Sequence, residues 1–242
     1  MTRRIAVLAS GGGSNLQAIL DHLDSLGQGA GAQVALVASD RPDAGALARA
    51  RGRSIATVVL DEAARTSGLT GLLVEHGIDV IALAGYFRFV PTDTTARFRG
   101  RLVNVHPALL PAFGGRGMYG QRVHDAVLAA GARVSGVTVH FVDEQYDHGA
   151  IIAQWPVPVF ESDSGEDLQR RVLAIEHALY PRVVHAIAAG RVTLDGDGRV
   201  RGAFEAPLAG QVFTLARRSE SPSAAVDAIF AVRADIAATR SR

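Results

Sequence analysis

Asn104-Val105-His106-Pro107 puts an amide and an imidazole two positions apart at the end of a strand-like apolar run. Positions i and i+2 of a strand share a face, so Asn104 and His106 point the same way while Val103 and Val105 fill the other side. A polar pair on one face of an otherwise buried strand needs partners, which makes a site there plausible; a packed, hydrogen-bonded couple would satisfy the same pattern. A second cluster, Ser10-Gly11-Gly12-Gly13-Ser14-Asn15, stands between the first strand and the first helix. Three glycines let the backbone turn tightly and approach a ligand, and the open N–H groups and positive dipole end of the following helix bind phosphate. It is no Walker loop, because no Gly-Lys-Ser/Thr follows, and it is a poor dinucleotide fingerprint, because Leu16 stands where a third glycine is expected. Only Asp40, after the second strand, speaks for a dinucleotide. The third candidate is Asp147, in Asp143-Glu144-Gln145-Tyr146-Asp147-His148-Gly149. Loop carboxylates are usually solvated, and His140, inside a strand, reads as a packed histidine rather than a ligand. No His-Glu-x-x-His cluster or Gly-x-Ser-x-Gly elbow occurs, so neither a metal nor a serine nucleophile is indicated.

Composition narrows the chemistry further. Cysteine is absent and all 25 basic residues are arginine, which removes disulfides, thiolate nucleophiles, Schiff bases and a P-loop lysine. Catalysis is left to His, Asp, Glu, Asn, Tyr, Ser or Thr, or to a metal. With 24 acidic side chains the formal charge is +1, so no global field selects nucleic acid or an anionic membrane. No apolar run of membrane-spanning length and no signal-peptide pattern is seen, and a soluble, cytoplasmic protein is the expectation.

The elements that must position these residues alternate. Apolar runs at 5–9, 34–39, 55–60, 80–84 and 102–106 read as buried strands, with helical patterns at 16–26, 47–51, 69–75 and 91–98, the last opened by Pro91. This alternation predicts an open, mostly parallel α/β sheet with helices on both faces. From 107 the rhythm changes to a glycine-rich loop through 120, of the kind that usually carries function. A helix near 121–130, two longer strands at 134–142 and 151–159, and a long amphipathic helix follow. That helix is marked by Leu168, Val172, Ile175, Leu179 and Val183, with Ser162 or Ser164 as its cap. The end of the chain reads as a small hairpin at 192–203, a linker at 219–223 and a helix at 224–238.

In this order the pieces resemble the glycinamide ribonucleotide formyltransferases of purine biosynthesis. The matching stretches are 5–17, 83–88, 102–111, 134–154 and 171–181, and coverage runs from 5 to about 205. Asn104-x-His106-Pro107 followed by Leu109-Leu110-Pro111, with Asp147 after a Val-His-Phe-Val-Asp strand, is specific to folate-dependent formyl transferases and hydrolases. Gly11–Asn15 and Glu176-His177-Ala178-Leu179-Tyr180-Pro181 narrow it to the ribonucleotide branch.

The resemblance implies the Rossmann-like formyltransferase fold over 1–205, which takes in the small hairpin, and leaves 206–242, with its helical tail, as a C-terminal extension of unassigned role. It implies transfer of a formyl group from 10-formyltetrahydrofolate, a co-substrate, to the amine of glycinamide ribonucleotide, with no metal and no covalent enzyme intermediate. Asn104, His106 and Asp147 would form the catalytic set: Asn104 and, if protonated, His106 would stabilise the tetrahedral oxyanion, and Asp147 would favour the imidazolium or order a proton-carrying water, the protonation state of His106 in the free enzyme being left open. Gly12, Gly13, Ser14 and Asn15 would hold the acceptor's phosphate, and Glu176, with Leu173, Ala174 and Ile175, its ribosyl end. Arg65, the segment Tyr86, Phe87, Arg88, Phe89 and Val90, Asn104, and the loop Asp143, Glu144, Gln145, Tyr146 and Asp147 would clasp the folate. Partners would be these small molecules, with no nucleic acid and no membrane, and a homodimer is left open. Two segments depart from the family pattern, since 113–120 is longer and richer in glycine and 61–68 is shorter.

Alternatives remain. A formyltetrahydrofolate hydrolase would share Asn104, His106 and Asp147 with water as acceptor. A methionyl-tRNA formyltransferase would need a basic RNA-binding domain, for which the tail is too short. A non-catalytic phosphate-binding module would use only Gly11–Asn15.

Overall fold

Ile5, Ala6, Val7 and Leu8 are wholly buried on both faces, the condition of a central strand in a parallel sheet. The computed structural model describes residues 2–204. The run lies in β1 (Arg3–Leu8), and chain order then gives α1 (Ser14–Leu26), β2 (Ala32–Ser39), α2 (Gly45–Gly52), β3 (Ala56–Val59), α3 (Glu62–Thr66), α4 (Leu69–Glu75) and β4 (Val80–Leu83). There follow α5 (Thr92–Arg97), β5 (Leu102–His106), α6 (Gln121–Ala129), β6 (Val134–Phe141), β7 (Ile151–Pro158), α7 (Gly165–Ala188), β8 (Val192–Leu194) and β9 (Val200–Gly202).

The main sheet has the order β3-β2-β1-β4-β5-β6-β7. Pairing is parallel from β3 to β5 and antiparallel for β5–β6 and β6–β7, so the expected open, mostly parallel sheet is what forms. Strand alternation divides the core. Ile5 and Val7 pack with Leu16 and Ile19 of α1 and Val172, Leu179 and Val183 of α7, while Ala6 and Leu8 face Leu69 and Leu73 of α4 and Phe98. The chain leaves β1 toward β2 on one side and later returns to β4 on the other. The crevice between the carboxyl ends of β1 and β4 is therefore the switch point where open α/β sheets bind ligands.

Three expectations sharpen or change. Ser164, not Ser162, caps α7: its hydroxyl accepts from Asp167 N, and Asp167 returns a bond to the Ser164 backbone. Pro91 is the N-cap of α5 rather than its first residue. The short segment 61–68 holds a helix the sequence did not signal, α3, because none of its residues is buried and no apolar stripe announces it; Asp61 caps it by accepting from Ala64 N at 2.7 Å. The β8–β9 hairpin forms as read. The tail 206–242, with its linker at 219–223 and helix at 224–238, lies outside the described residues.

Candidate active site

At the switch point Gly13 takes φ +77° as the N-cap of α1, and a Cβ there would meet Ala46 Cα at 2.7 Å, so both backbone and space demand glycine. No side chain caps α1, which leaves its first N–H groups open to a ligand. Asn15, buried at the start of the helix, donates through Nδ2 to Glu176 Oε2 at 2.6 Å, and its own Oδ1 has no partner. Burial pushes the Glu176 carboxyl up to about 7 in spite of that bond. One turn further along α7, the buried Tyr180 hydroxyl lies 2.9 Å from Leu83 O and 3.1 Å from Val103 O, pinning this part of the helix to the last residue of β4 and the second residue of β5.

The second cluster is built by strand register. Asn104 lies directly across from His140, and its Nδ2 donates to His140 Nε2 at 3.2 Å, since His140 Nδ1–H donates to Phe141 O at 2.8 Å. His106 Nε2 donates to Phe113 O at 2.8 Å, which leaves Nδ1 as the position that titrates. Asp147 presents Oδ2 to His106 Nδ1 and Oδ1 to His140 Nε2, each at 3.6 Å, and accepts the Gly115 amide at 2.9 Å. Asp147 itself sits at φ +54°, in the left-handed region. Its carboxyl is held below the ordinary range: burial is the largest influence and pushes it up, but the neighbouring His140 and His106 rings and the bond from the Gly115 amide outweigh that.

The protonation of His106, which the sequence leaves open, is opposed by its surroundings. Asp147 and Phe113 O favour its charged form, yet burial of a ring only 3% exposed is the larger influence, and His140 adds to it. Its pKa is held below the usual imidazole value, so the ring is neutral at physiological pH with Nδ1 unprotonated.

Both clusters line one cleft of about 720 Å³. Of the positions singled out in the sequence, Gly12–Asn15, Tyr86–Val90, Asn104, His106, Asp143, Gln145, Tyr146, Asp147, Leu173 and Glu176 reach it. Aromatic contacts draw its walls together: Phe87 and Tyr119 lie 4.9 Å apart, Phe89 and Tyr146 5.2 Å. Four positions do not line it. Arg65 stands on the unforeseen α3, 3.8 Å from Glu62. Helical rotation turns Ile175 into the core and Ala174 to solvent between Leu173 and Glu176, and Glu144 is exposed at the tip of its loop.

The profile of the formyl transferase family matches residues 3–184. The chain belongs to that family. It is 42% identical over 203 residues to the phosphoribosylglycinamide formyltransferase, chloroplastic, of Arabidopsis thaliana, covering 81% of this chain and 69% of that one. With the corresponding protein of Vigna unguiculata it shares 40% identity over 202 residues, covering 81% of this chain and 64% of the other. The solved glycinamide ribonucleotide transformylase 1 from Symbiobacterium toebii superposes with a TM-score of 0.74 at 42% identity, covering 83% of this chain and 93% of that one. A formyl donor of the folate type goes with membership of the family.

Sequence reasoning missed several side chains that line this formyl transferase's cleft. His140, read as a packed histidine, is indeed buried, but register makes it the direct neighbour of Asn104 and Asp147. Only the strand pairing, which a single sequence does not reveal, could have placed it there. Arg116, Tyr119 and Arg122 come from the glycine-rich loop and the start of α6. Arg122 lies over the Tyr119 ring at 5.1 Å, and among the described residues neither its guanidinium nor that of Arg116 has a hydrogen-bond or ion-pair partner. Also among the described residues, no helix is long and apolar enough to cross a membrane, and no group of three His, Asp or Glu side chains is placed to hold a metal.

Proposed function

We propose that this formyl transferase moves the formyl group of 10-formyltetrahydrofolate to the amine of glycinamide ribonucleotide, giving the N-formyl product and tetrahydrofolate in purine biosynthesis. The observation that carries the reading is the meeting of Gly13–Asn15 and Glu176 with Asn104, His106 and Asp147 in one cleft. The glycine turn and open helix end suit a phosphate, the buried carboxyl suits ribosyl hydroxyls, and the aromatic walls suit a flat pterin-type ring. Arg116 and Arg122, whose guanidinium groups have no hydrogen-bond or ion-pair partner among the described residues, and the free terminal nitrogens of Arg88 line this cleft, which suits two anionic substrates. Both are small and water-soluble, and a cytoplasmic setting goes with them.

In this reading the acceptor amine adds to the formyl carbon, forming a tetrahedral oxyanion with an ammonium. Asn104 keeps one amide hydrogen for His140 and turns the other to the oxyanion. His106 Nδ1, bare in the free enzyme, takes the ammonium proton directly or through a water. The resulting imidazolium closes on Asp147 and returns the proton to the departing folate nitrogen as the C–N bond breaks. The 3.6 Å gap between His106 Nδ1 and Asp147 Oδ2 is of the size that tightens once the ring is charged. No covalent intermediate with the enzyme is needed.

The test mixes the full chain with a 10-formyl folate analogue, with and without glycinamide ribonucleotide, and follows the deformylated folate by absorbance. Turnover that requires the acceptor is expected. Equal turnover without it would replace transfer by hydrolysis.

A further inference from the structure

Asp40, just past the end of β2, was singled out in the sequence only as a weak dinucleotide signal, and the transfer chemistry does not use it. Its side chain is nevertheless 4% exposed and fully committed. Oδ1 accepts from Ser10 Oγ at 2.6 Å, and Oδ2 accepts from Arg88 Nε at 2.7 Å. Ser10 Oγ in turn accepts the Phe87 amide at 3.1 Å, and Ser10 N donates to Gly85 O at 2.9 Å. Ser10 immediately precedes the glycine turn, and Gly85–Val90 is the segment facing the folate side of the cleft. One carboxylate therefore holds a residue from each of the two loops that diverge at the switch point.

We propose that Asp40 is a positioning residue that yokes the phosphate-side loop to the folate-side loop and aims Arg88 into the cleft. Only Nε of Arg88 is engaged by Asp40, and among the described residues the guanidinium makes no other protein bond, so its terminal nitrogens stay free for an anionic ligand. A carboxylate is the group this task requires, because it accepts from a hydroxyl and a guanidinium at once, whereas an amide offers one oxygen and would set its NH2 against Arg88. The ionised form is secured here. Burial pushes the Asp40 carboxyl up, but the bonds from Ser10 and Arg88 and the Arg88 charge hold it below the usual range.

The assignment of sides to the two loops rests on the proposed transfer reaction; the yoke itself does not, and the experiment separates them. Asp40→Asn keeps the Ser10 arm and breaks the Arg88 arm, while Ser10→Ala breaks the other. In the full chain, amide exchange across 85–90 is expected to quicken about tenfold in both variants, the effect of losing one charge-assisted or buried bond, with the rest of the protein unchanged. Asp40→Asn should raise the KM for the folate donor about tenfold with kcat within roughly twofold, and Ser10→Ala should raise both KM values. Unchanged exchange over 85–90 in Asp40→Asn would overturn the yoke, as would a uniform rise in exchange with a lowered melting temperature, the mark of a merely structural residue. If the wild-type chain shows no transfer, the reaction fails while the exchange arm still judges Asp40. If it turns over and neither KM moves in Asp40→Asn, the positioning claim fails.

Discussion

Asn104 donates one amide hydrogen to His140 Nε2, and the ring that accepts it is fixed by its own bond to Phe141 O. The donor aimed at the cleft is thus held before any substrate arrives, and preorganisation of this kind is what makes a neutral amide effective against a developing negative charge. Replacing Asn104 by Ala should lower kcat by about 10²–10³-fold. The same variant should bind the folate analogue within roughly threefold of wild type, since the lost interaction belongs to the transition state. Single-turnover kinetics alongside direct titration of the analogue check this, and a loss confined to binding would return Asn104 to the role of a packed residue. At this scale the sequence was a partial guide. The shared face of Asn104 and His106 follows from strand periodicity alone, whereas their partners His140, Phe113 O and Asp147 arrive through register and loop path. The neutral state of His106 lay beyond the sequence for a related reason: it depends on the depth of burial, which no motif encodes.

Elements set the positions that single residues exploit. The glycine turn, α1 and α2 form one packing unit, in which Ala46 N donates to Gly11 O at 3.1 Å and Ala46 sits where a Gly13 side chain would go. Gly13→Ala should therefore cost about 1–2 kcal/mol for left-handed backbone and about 1–3 kcal/mol for the forced contact with Ala46. Urea denaturation reads the stability loss, and a rise in the acceptor's KM reads displacement of the helix end. Full stability in this variant would mean that the turn adopts another conformation than the one described. Most elements were legible because burial leaves a period in the sequence. The α7 stripe runs through Pro181 without interruption, and its apolar positions are those that pack on β1. The exception, α3, is instructive: a helix with no buried residue leaves no stripe, so its fold comes from the Asp61 cap and its neighbours rather than from pattern. Arg65, which stands on α3, is accordingly not among the residues that line the cleft, although its charge still acts on Tyr86 there.

At the scale of the whole molecule, groups whose ionisation the fold opposes set the dependence of stability on pH. Burial raises Glu176 from 4.5 to about 7, so between those values the folded protein binds a proton that the unfolded chain does not, and stability falls as pH rises through the window. His124, pushed by burial down to about 4, and His106, also lowered by burial, act in reverse: below 6.5 the unfolded chain takes up the extra protons, and stability falls as pH drops. From 4.5 to 6.5 the two slopes oppose each other, and from 6.5 to about 7 the Glu176 slope stands alone. Below 3.8 the lowered carboxyls of Asp40, Asp147 and Asp163 lose their contribution as well. Glu176→Gln keeps an acceptor for Asn15 and removes the buried charge. The variant should match the wild type near pH 4.5 and exceed it by about 3 kcal/mol at pH 8, from a shift of this size at 1.36 kcal/mol per unit. Its acceptor KM should rise, because the carboxylate that weakens the empty protein is the one proposed to bind the ribosyl hydroxyls. Urea midpoints taken from pH 4.5 to 8 decide the matter. A gap between variant and wild type that stays constant with pH would mean that Glu176 does not titrate in this window, and the buried carboxyl would then need a partner other than Asn15.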